Sequence, residues 1–125
     1  MKEIPRITEA EWEVMKVLWN ESPNTASRIA QELADSTNWK LNTVKTLISR
    51  LVSKKAVGYD QDGKSHYYFP LVNEDECVKA EGETFLKRVY GGALKPMLVN
   101  FLREKKLSSK EIEELKAILE EGKAD

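Results

Sequence analysis

The residues best suited to chemistry lie between positions 40 and 57, where hydroxyls, amides and cations occur with no carboxylate among them. Thr43, Thr46, Arg50 and Lys54 are three or four positions apart, so a helix would align them along one side. Such a face suits an anionic partner with hydrogen-bonding edges, and duplex DNA has both properties. The alternative is an ordinary surface helix that is basic by chance, although such helices usually mix Glu with Lys.

The same segment carries an apolar stripe that predicts how this face is oriented. Its members recur at the intervals of an amphipathic helix: Val44, Leu47, Ile48, Leu51 and Val52. The opposite side then carries the polar set, which comprises Asn42, Thr43, Lys45, Thr46, Ser49, Arg50, Ser53 and Lys54. We therefore expect a helix that packs on a core with one side and presents hydrogen-bonding and cationic groups with the other.

Charge is distributed unevenly along the 125 residues, although the chain as a whole has a net charge of only −1. Residues 1–36 have a net charge of −3, residues 37–70 of +4, and residues 71–125 of −2. A basic patch confined to one segment is typical of nucleic-acid binding.

Two helices are predicted before the basic one. Thr8 and Glu11 have the spacing of a capping box, which predicts a helix from about Glu9 to Asn20. Thr25 is a suitable N-cap for a second helix from Ala26 to about Ala34. Three short helices, the third of them basic, predict a helix-turn-helix.

A β-hairpin is predicted directly after the basic helix. Asp62-Gly63 separates two segments that contain aromatic residues typical of strands, and this dipeptide is a strong signal for a two-residue hairpin loop. A hairpin at this position is the wing of a winged helix. Lys64 lies near its tip, and we expect Lys64 and Lys54 to contact DNA phosphates.

Three further helical segments follow, each with one apolar face. The first runs from Glu74 to about Tyr90, the second carries apolar residues from Leu94 to Leu102, and Ser108 with Glu111 begins the third through another capping box. About 50 residues make a poor independent core, so we expect two copies to bury these faces against each other. The predicted fold is mostly α with a small β-hairpin: a winged-helix DNA-binding domain over 1–71 and a helical dimerisation domain over 72–125.

Other functional classes find little support in the sequence. Cys77 is the single cysteine, so an intramolecular disulfide or a cysteine-rich metal site is excluded, and His66 has no neighbours at ligand spacing. We find no catalytic residues, metal site or cofactor motif, which argues against an enzyme. No apolar run approaches the length of a membrane span, and the N-terminus lacks a signal-peptide core, so a cytoplasmic location is the expectation.

The order of these segments resembles one known family of bacterial regulators. Residues 10–19 resemble the first helix of the penicillinase repressor family, and residues 43–51 resemble its recognition helix. Residues 85–92 and 98–101 resemble its C-terminal half, and residues 107–115 its last helix. This family also includes the methicillin-resistance repressor and the copper-responsive repressors. Its members are winged-helix repressors that bind operator DNA as dimers.

The resemblance implies specific roles for residues of this sequence. It implies a palindromic operator contacted by Asn42, Thr43, Lys45, Thr46 and Arg50. In the β-lactam branch, which is linked to antibiotic resistance, a regulatory protease cuts a bond that matches Asn100-Phe101. The family often has Ser-Pro where this chain has Lys40-Leu41, so the usual N-cap of the recognition helix is missing.

Two alternatives remain beside a dimeric repressor released by proteolysis. One is a metal-responsive repressor of the same fold, but the Cys-x-Cys-x4-Cys-x-Cys tail of the copper branch is absent, and Cu(I) needs several soft ligands. The other is a winged-helix protein-interaction module that does not bind DNA, against which the uninterrupted basic face argues.

Overall fold

The computed structural model describes residues 3–123 and is mostly helical with one two-stranded hairpin, as predicted. In chain order the elements are α1 Glu9–Asn20, α2 Ala26–Leu33, α3 Leu41–Ser53, β1 Val57–Asp62, β2 Ser65–Pro70, α4 Glu74–Tyr90, α5 Leu94–Glu104 and α6 Ser109–Glu121. None of the helices within residues 3–123 is long and apolar enough to cross a membrane.

Local capping explains where most of these helices begin. The predicted capping box at α1 is confirmed: the Glu11 amide donates to Thr8 Oγ1 at 3.2 Å, and the Thr8 amide donates to Glu11 Oε1 at 2.9 Å. Ser108 and Glu111 form the second predicted box at α6. Lys40 occupies the N-cap position of α3 without a side-chain hydrogen bond, so this helix begins without the usual capping contact.

The chain divides into two compact units, one ending at Glu81 and the other beginning at Gly82. The first unit has a closed apolar core whose fully buried members include Val14, Met15, Leu18, Ile29, Val44, Ile48 and Leu51. Val72 and Cys77 belong to this core, and the Trp19 indole Nε1 donates to the Val72 carbonyl at 3.0 Å. The first unit therefore continues beyond residue 71, through the first turns of α4.

The wing is an antiparallel hairpin in which Val57 pairs with Pro70 and Asp62 pairs with Ser65. The prediction of Asp62-Gly63 as the loop was wrong by one position, because Asp62 still pairs and the loop is Gly63-Lys64. Gly63 has a φ of +63°, a conformation that glycine adopts at little cost. The hairpin is anchored through Asn24 and Tyr68, whose backbones exchange hydrogen bonds of 2.9 and 2.8 Å.

The second unit lacks a closed core of its own. Gly91 and Gly92, with φ values of +61° and +90°, end α4 and reverse the chain into α5. Neither α5 nor α6 contains a buried residue. Their exposed apolar side chains are Leu94, Phe101, Leu102, Ile112, Leu115, Ile118 and Leu119.

Candidate nucleic-acid interface

The two faces of α3 separate apolar from polar side chains as the sequence predicts. Val44, Leu47, Ile48 and Leu51 are buried in the first unit. Removing each such side chain from water contributes about 1.5–3 kcal/mol, which fixes the rotation of the helix about its axis. The predicted contact residues of α3 are consequently all exposed: Asn42, Thr43, Lys45, Thr46 and Arg50.

Three of the predicted contact residues are cations that are available to an external anion. Lys45 and Arg50 on α3 and Lys64 in the hairpin loop are exposed, and none of them is paired with a carboxylate within residues 3–123. By contrast, the exposed Lys16 of α1 lies 3.0 Å from the Glu13 carboxylate. The positive charge of these three residues is therefore not neutralised by an ion pair within the part of the chain that the structure describes.

The hydroxyl of Thr46 already has one partner, and this partner limits its chemistry. Thr46 Oγ1 donates to the Asn42 carbonyl at 3.0 Å, one turn earlier in α3. A hydroxyl has a single hydrogen to donate and retains acceptor capacity after donating it. Thr46 is thus arranged to accept a hydrogen bond, as from the amino groups that adenine and cytosine expose in the major groove.

Lys45 and Lys64 both line one shallow groove, although the rest of α3 and all of β1 lie between them in the sequence. Thr25 and Ser27 at the N-terminus of α2 also line this groove, together with Ser65 and His66 of the wing. Helix N-termini attract anions because their first amide groups are unpaired. The groove has the chemistry of a site for a backbone phosphate.

The contact residues predicted from the sequence did not include Thr25, Ser27 or Ser65. The only available signal was the N-cap type of Thr25, which places the start of α2, where the Arg28 amide donates to Thr25 Oγ1 at 3.2 Å. Nothing in the sequence indicates that the wing folds back towards this helix end.

Lys54 has an intramolecular partner that the sequence did not reveal. Its ammonium group forms an ion pair with the carboxylate of Glu11, and it also donates to the Arg6 carbonyl at 2.9 Å. Glu11 is buried on α1, with 1% of its side chain exposed, whereas 31% of the Lys54 side chain is exposed. The pair connects the C-terminal end of α3 to α1 and to the segment before it.

The electrostatics of Glu11 depend on these hydrogen bonds. Burial disfavours the charged carboxylate, but the hydrogen bonds from Lys54 and from the Thr8 amide outweigh it, so the pKa of Glu11 is lowered. A carboxylate with a lowered pKa stabilises the fold at neutral pH and loses this contribution on acidification.

The surroundings of Cys77 and His66 favour a structural role for both residues over a chemical one. Burial, assisted by the neighbouring Glu76 carboxylate, raises the pKa of the Cys77 thiol, which disfavours the reactive thiolate. The His66 ring lies 4.7 Å from that of Tyr59 and 6.1 Å from that of Tyr68, measured between centroids. Within residues 3–123, no group of three His, Cys, Asp or Glu residues is arranged to hold a metal ion.

The predicted cleavage residues, Asn100 and Phe101, lie in the second unit in the C-terminal half of α5. The Asn100 amide Nδ2 donates to the Tyr90 hydroxyl at 3.0 Å. The Phe101 ring stacks on Phe85 with centroids 6.4 Å apart, and 44% of Phe101 is exposed. Both residues are accordingly held in regular helix.

Comparison with known proteins gives a consistent result over nearly the whole chain. The sequence profile described as penicillinase repressor matches residues 7–121. The penicillinase repressor of Bacillus licheniformis is 39% identical over 123 residues, covering 98% of this chain and 96% of that protein. The methicillin resistance regulatory protein of Staphylococcus aureus is 35% identical over 113 residues, covering 90% of this chain and 92% of that protein.

A solved structure resembles part of the chain. It is the monomeric form of the Bacillus licheniformis repressor BlaI in complex with the blaP half-operator, determined in solution. The match has a TM-score of 0.53 and 36% sequence identity, and it covers 61% of this chain and 93% of that chain.

Proposed function

This chain belongs to the penicillinase repressor family, and we propose that it is a homodimeric repressor that binds palindromic operator DNA and is released by proteolysis. The repressors of this family are not enzymes. The observation that carries the proposal is the exposed face of α3, where cations, hydroxyls and an amide occur without a single carboxylate. A relative with 36% sequence identity has been solved with a half-operator bound, which supports DNA as the ligand.

We assign the contacts by the chemistry of each side chain. Arg50 and Lys45 donate to guanine edges or phosphates, Asn42 matches the paired donor and acceptor of adenine, and Thr46 accepts from an amino group. Thr43 adds a further hydroxyl at the start of α3. Lys64 and the groove beside it hold the DNA backbone, which sets register without reading sequence.

The relatives suggest which genes are controlled. One is named a penicillinase repressor and another a methicillin resistance regulatory protein, so β-lactam resistance genes are the proposed targets. Operator DNA as the ligand implies that the protein acts in the cytoplasm.

The exposed apolar faces of the second unit support dimerisation with another copy of this chain. Monomeric proteins rarely expose contiguous apolar patches of more than a few hundred Å². Seven large apolar side chains of α5 and α6 are exposed in the single chain. Two copies would bury these faces together and present two α3 helices to the two halves of a palindrome.

Release by proteolysis is consistent with a first unit that binds DNA and a second unit that forms the dimer. A cut at Asn100-Phe101 would separate α6 and the end of α5 from the remainder of the chain, while every proposed DNA contact survives. The severed dimer would lose the link that makes the second half-site effectively intramolecular, so operator affinity would fall. A regulatory protease is the partner that this mechanism requires.

The reading function is tested by replacing Arg50 with Ala and measuring binding to a selected operator and to a scrambled duplex. We expect a loss of about 1–3 kcal/mol on the operator and a smaller loss on the scrambled duplex. Lys16→Ala removes an exposed cation outside α3 and is the matched control, expected to bind like the wild type. Unchanged operator binding by Arg50→Ala would refute the assignment of α3, and a wild type that binds neither duplex would favour a protein-interaction module.

A further inference from the structure

The C-terminal half of α4 contacts both residues of the proposed cleavage site. Tyr90 is the last residue of α4, and its hydroxyl accepts the hydrogen bond from the Asn100 amide on α5. The Phe101 ring lies edge-on to Tyr90, with centroids 6.5 Å apart and an interplanar angle of 75°. The residues on the two sides of one peptide bond are therefore attached to the same preceding helix.

Phe85 completes this arrangement one and a half helical turns before Tyr90. Its ring stacks on Phe101 with an interplanar angle of 18°, and it meets Tyr90 edge-on at a centroid distance of 6.0 Å. The guanidinium carbon of Arg88 lies over the Phe85 ring, 5.9 Å from its centroid. We name Phe85, Tyr90, Asn100 and Phe101 the aromatic clasp.

The clasp holds the bond without shielding it from solvent. Asn100 is exposed, and 44% of Phe101 remains exposed despite the stacking. Proteases bind their substrates as extended strands, so a bond inside a helix must first unfold locally. Cleavage at Asn100-Phe101 therefore requires local unfolding of α5, whether or not a second copy covers its apolar face.

We propose that Phe85 and Tyr90 are positioning residues that control how readily the Asn100-Phe101 bond unfolds for a protease. The inference rests on the proposed release mechanism for its biological meaning. The reaction itself is hydrolysis: water supplies a hydroxyl to the Asn100 carbonyl carbon and a proton to the Phe101 nitrogen as the bond between them breaks. Loss of the contacts with Phe85 and Tyr90 would free the side chains of Asn100 and Phe101 together, so both residues flanking the bond would unfold in one step.

The experiment is limited proteolysis of the full chain with thermolysin, which cuts before large apolar residues such as Phe101. The rate of cleavage at Asn100-Phe101 is measured by mass spectrometry of the fragment that begins at Phe101. Where cleavage follows the population of the opened state, weakening a contact raises the rate in proportion. Tyr90→Phe keeps the ring but removes the acceptor, and we expect cleavage to be about two- to tenfold faster.

Three further variants define the clasp. Phe85→Ala removes the stacking and should accelerate cleavage by about tenfold. Val89→Ala is the control on the same helix, since Val89 is 49% exposed and takes no part in the clasp, and its rate should match the wild type. In an Asn100→Ala background, Tyr90→Phe should have no additional effect, because the hydrogen bond is already absent.

The proposal would be overturned if Tyr90→Phe and Phe85→Ala were cut at the wild-type rate, or if Val89→Ala were accelerated equally. Circular dichroism of each variant establishes that the helices are intact. Failure of the clasp is separate from failure of the release mechanism. Release fails if chain cut at Asn100-Phe101 keeps its operator affinity, whatever the rate of cutting.

Discussion

The helices α3 and α5 have apolar side chains at the same spacing, yet they bury them to very different extents. In α3, Val44 and Leu51 are fully buried within the first unit. In α5, the corresponding stripe leaves Leu94 51% and Leu102 44% exposed. Periodicity thus indicates that a helix has an apolar face, but it does not indicate what covers that face. The apolar face of α3 is covered within the chain, and we propose that the apolar face of α5 packs on a second copy.

The largest expected effect comes from removing the second unit. A chain ending at Glu81 keeps Val72, Cys77 and the whole first core, so it should fold as a monomer. We expect its affinity for a full operator to fall by about 10²–10⁴-fold, because linkage between two reading units is lost. Sedimentation gives the mass, and fluorescence anisotropy gives the affinity. A stable dimer of this fragment at micromolar concentration would contradict the assignment of dimerisation to residues 82–125.

A matched pair of substitutions tests the contrast between α3 and α5. Leu51→Ala should lower the free energy of unfolding of the first unit by about 2–5 kcal/mol, since it leaves a cavity. Leu102→Ala should weaken the dimer while leaving that unit intact. Trp12, Trp19 and Trp39 all lie in the first unit, so tryptophan fluorescence reports its unfolding specifically. The contrast would be lost if Leu102→Ala destabilised this fluorescence transition as much as Leu51→Ala.

Lys54 provides the next test, because it either stabilises the fold through Glu11 or contacts a DNA phosphate. Its ion pair with Glu11 predicts that Lys54→Met lowers the free energy of unfolding by about 2 kcal/mol. This is less than for a fully buried pair, since Lys54 is partly exposed. Lys45→Met, an exposed and unpaired cation of the same helix, should leave stability unchanged in urea titrations. Equal stability of the two variants would show that the ion pair contributes nothing.

The lowered pKa of Glu11 makes a prediction about pH. The stabilisation is present above the glutamate pKa of the unfolded chain, about 4.3, and is lost as the pH falls through the lower folded value. Glu11→Gln should therefore reduce the acid sensitivity of unfolding in this range. Thermal melts of both proteins between neutral pH and pH 3 provide the measurement, and parallel pH curves would contradict the account.

The smallest effect concerns phosphate contacts. Lys64→Ala should lower affinity for operator and scrambled DNA alike, and should reduce the slope of log affinity against log salt by about one. Lys54→Met should leave this slope unchanged if its ammonium remains committed to Glu11. A reduced slope for Lys54→Met would instead support the phosphate contact that the sequence suggested for this residue.

Local rules in the sequence predicted most of the secondary structure. The capping residues Thr8 and Ser108 placed the starts of α1 and α6, because a cap acts on amides only two or three residues away. The hairpin loop was misplaced by one residue, since the Asp-Gly pair fixes the glycine and leaves open which neighbour joins it in the loop. The separation of α3 into apolar and polar faces also followed directly from its periodicity.

Contacts between distant residues were beyond the reach of the sequence. Lys54 and Glu11 are 43 positions apart, and only the packing of α3 against α1 brings them together. The groove that joins Lys45, Lys64 and the start of α2 likewise depends on the way the wing folds back. The first unit extends to Glu81 because Val72 and Cys77 pack in its core. No local sequence pattern predicts this packing.

The central claim is that the first unit reads DNA and the second unit pairs two copies. Selection from a random DNA pool tests both halves together, using the full chain and the chain ending at Glu81 in parallel. The full chain should enrich an inverted repeat whose half-sites are centred about one helical turn apart or a multiple of it. The shorter chain should enrich one copy of the same half-site. Enrichment of the same single motif by both chains, or of no motif by either, would contradict the account.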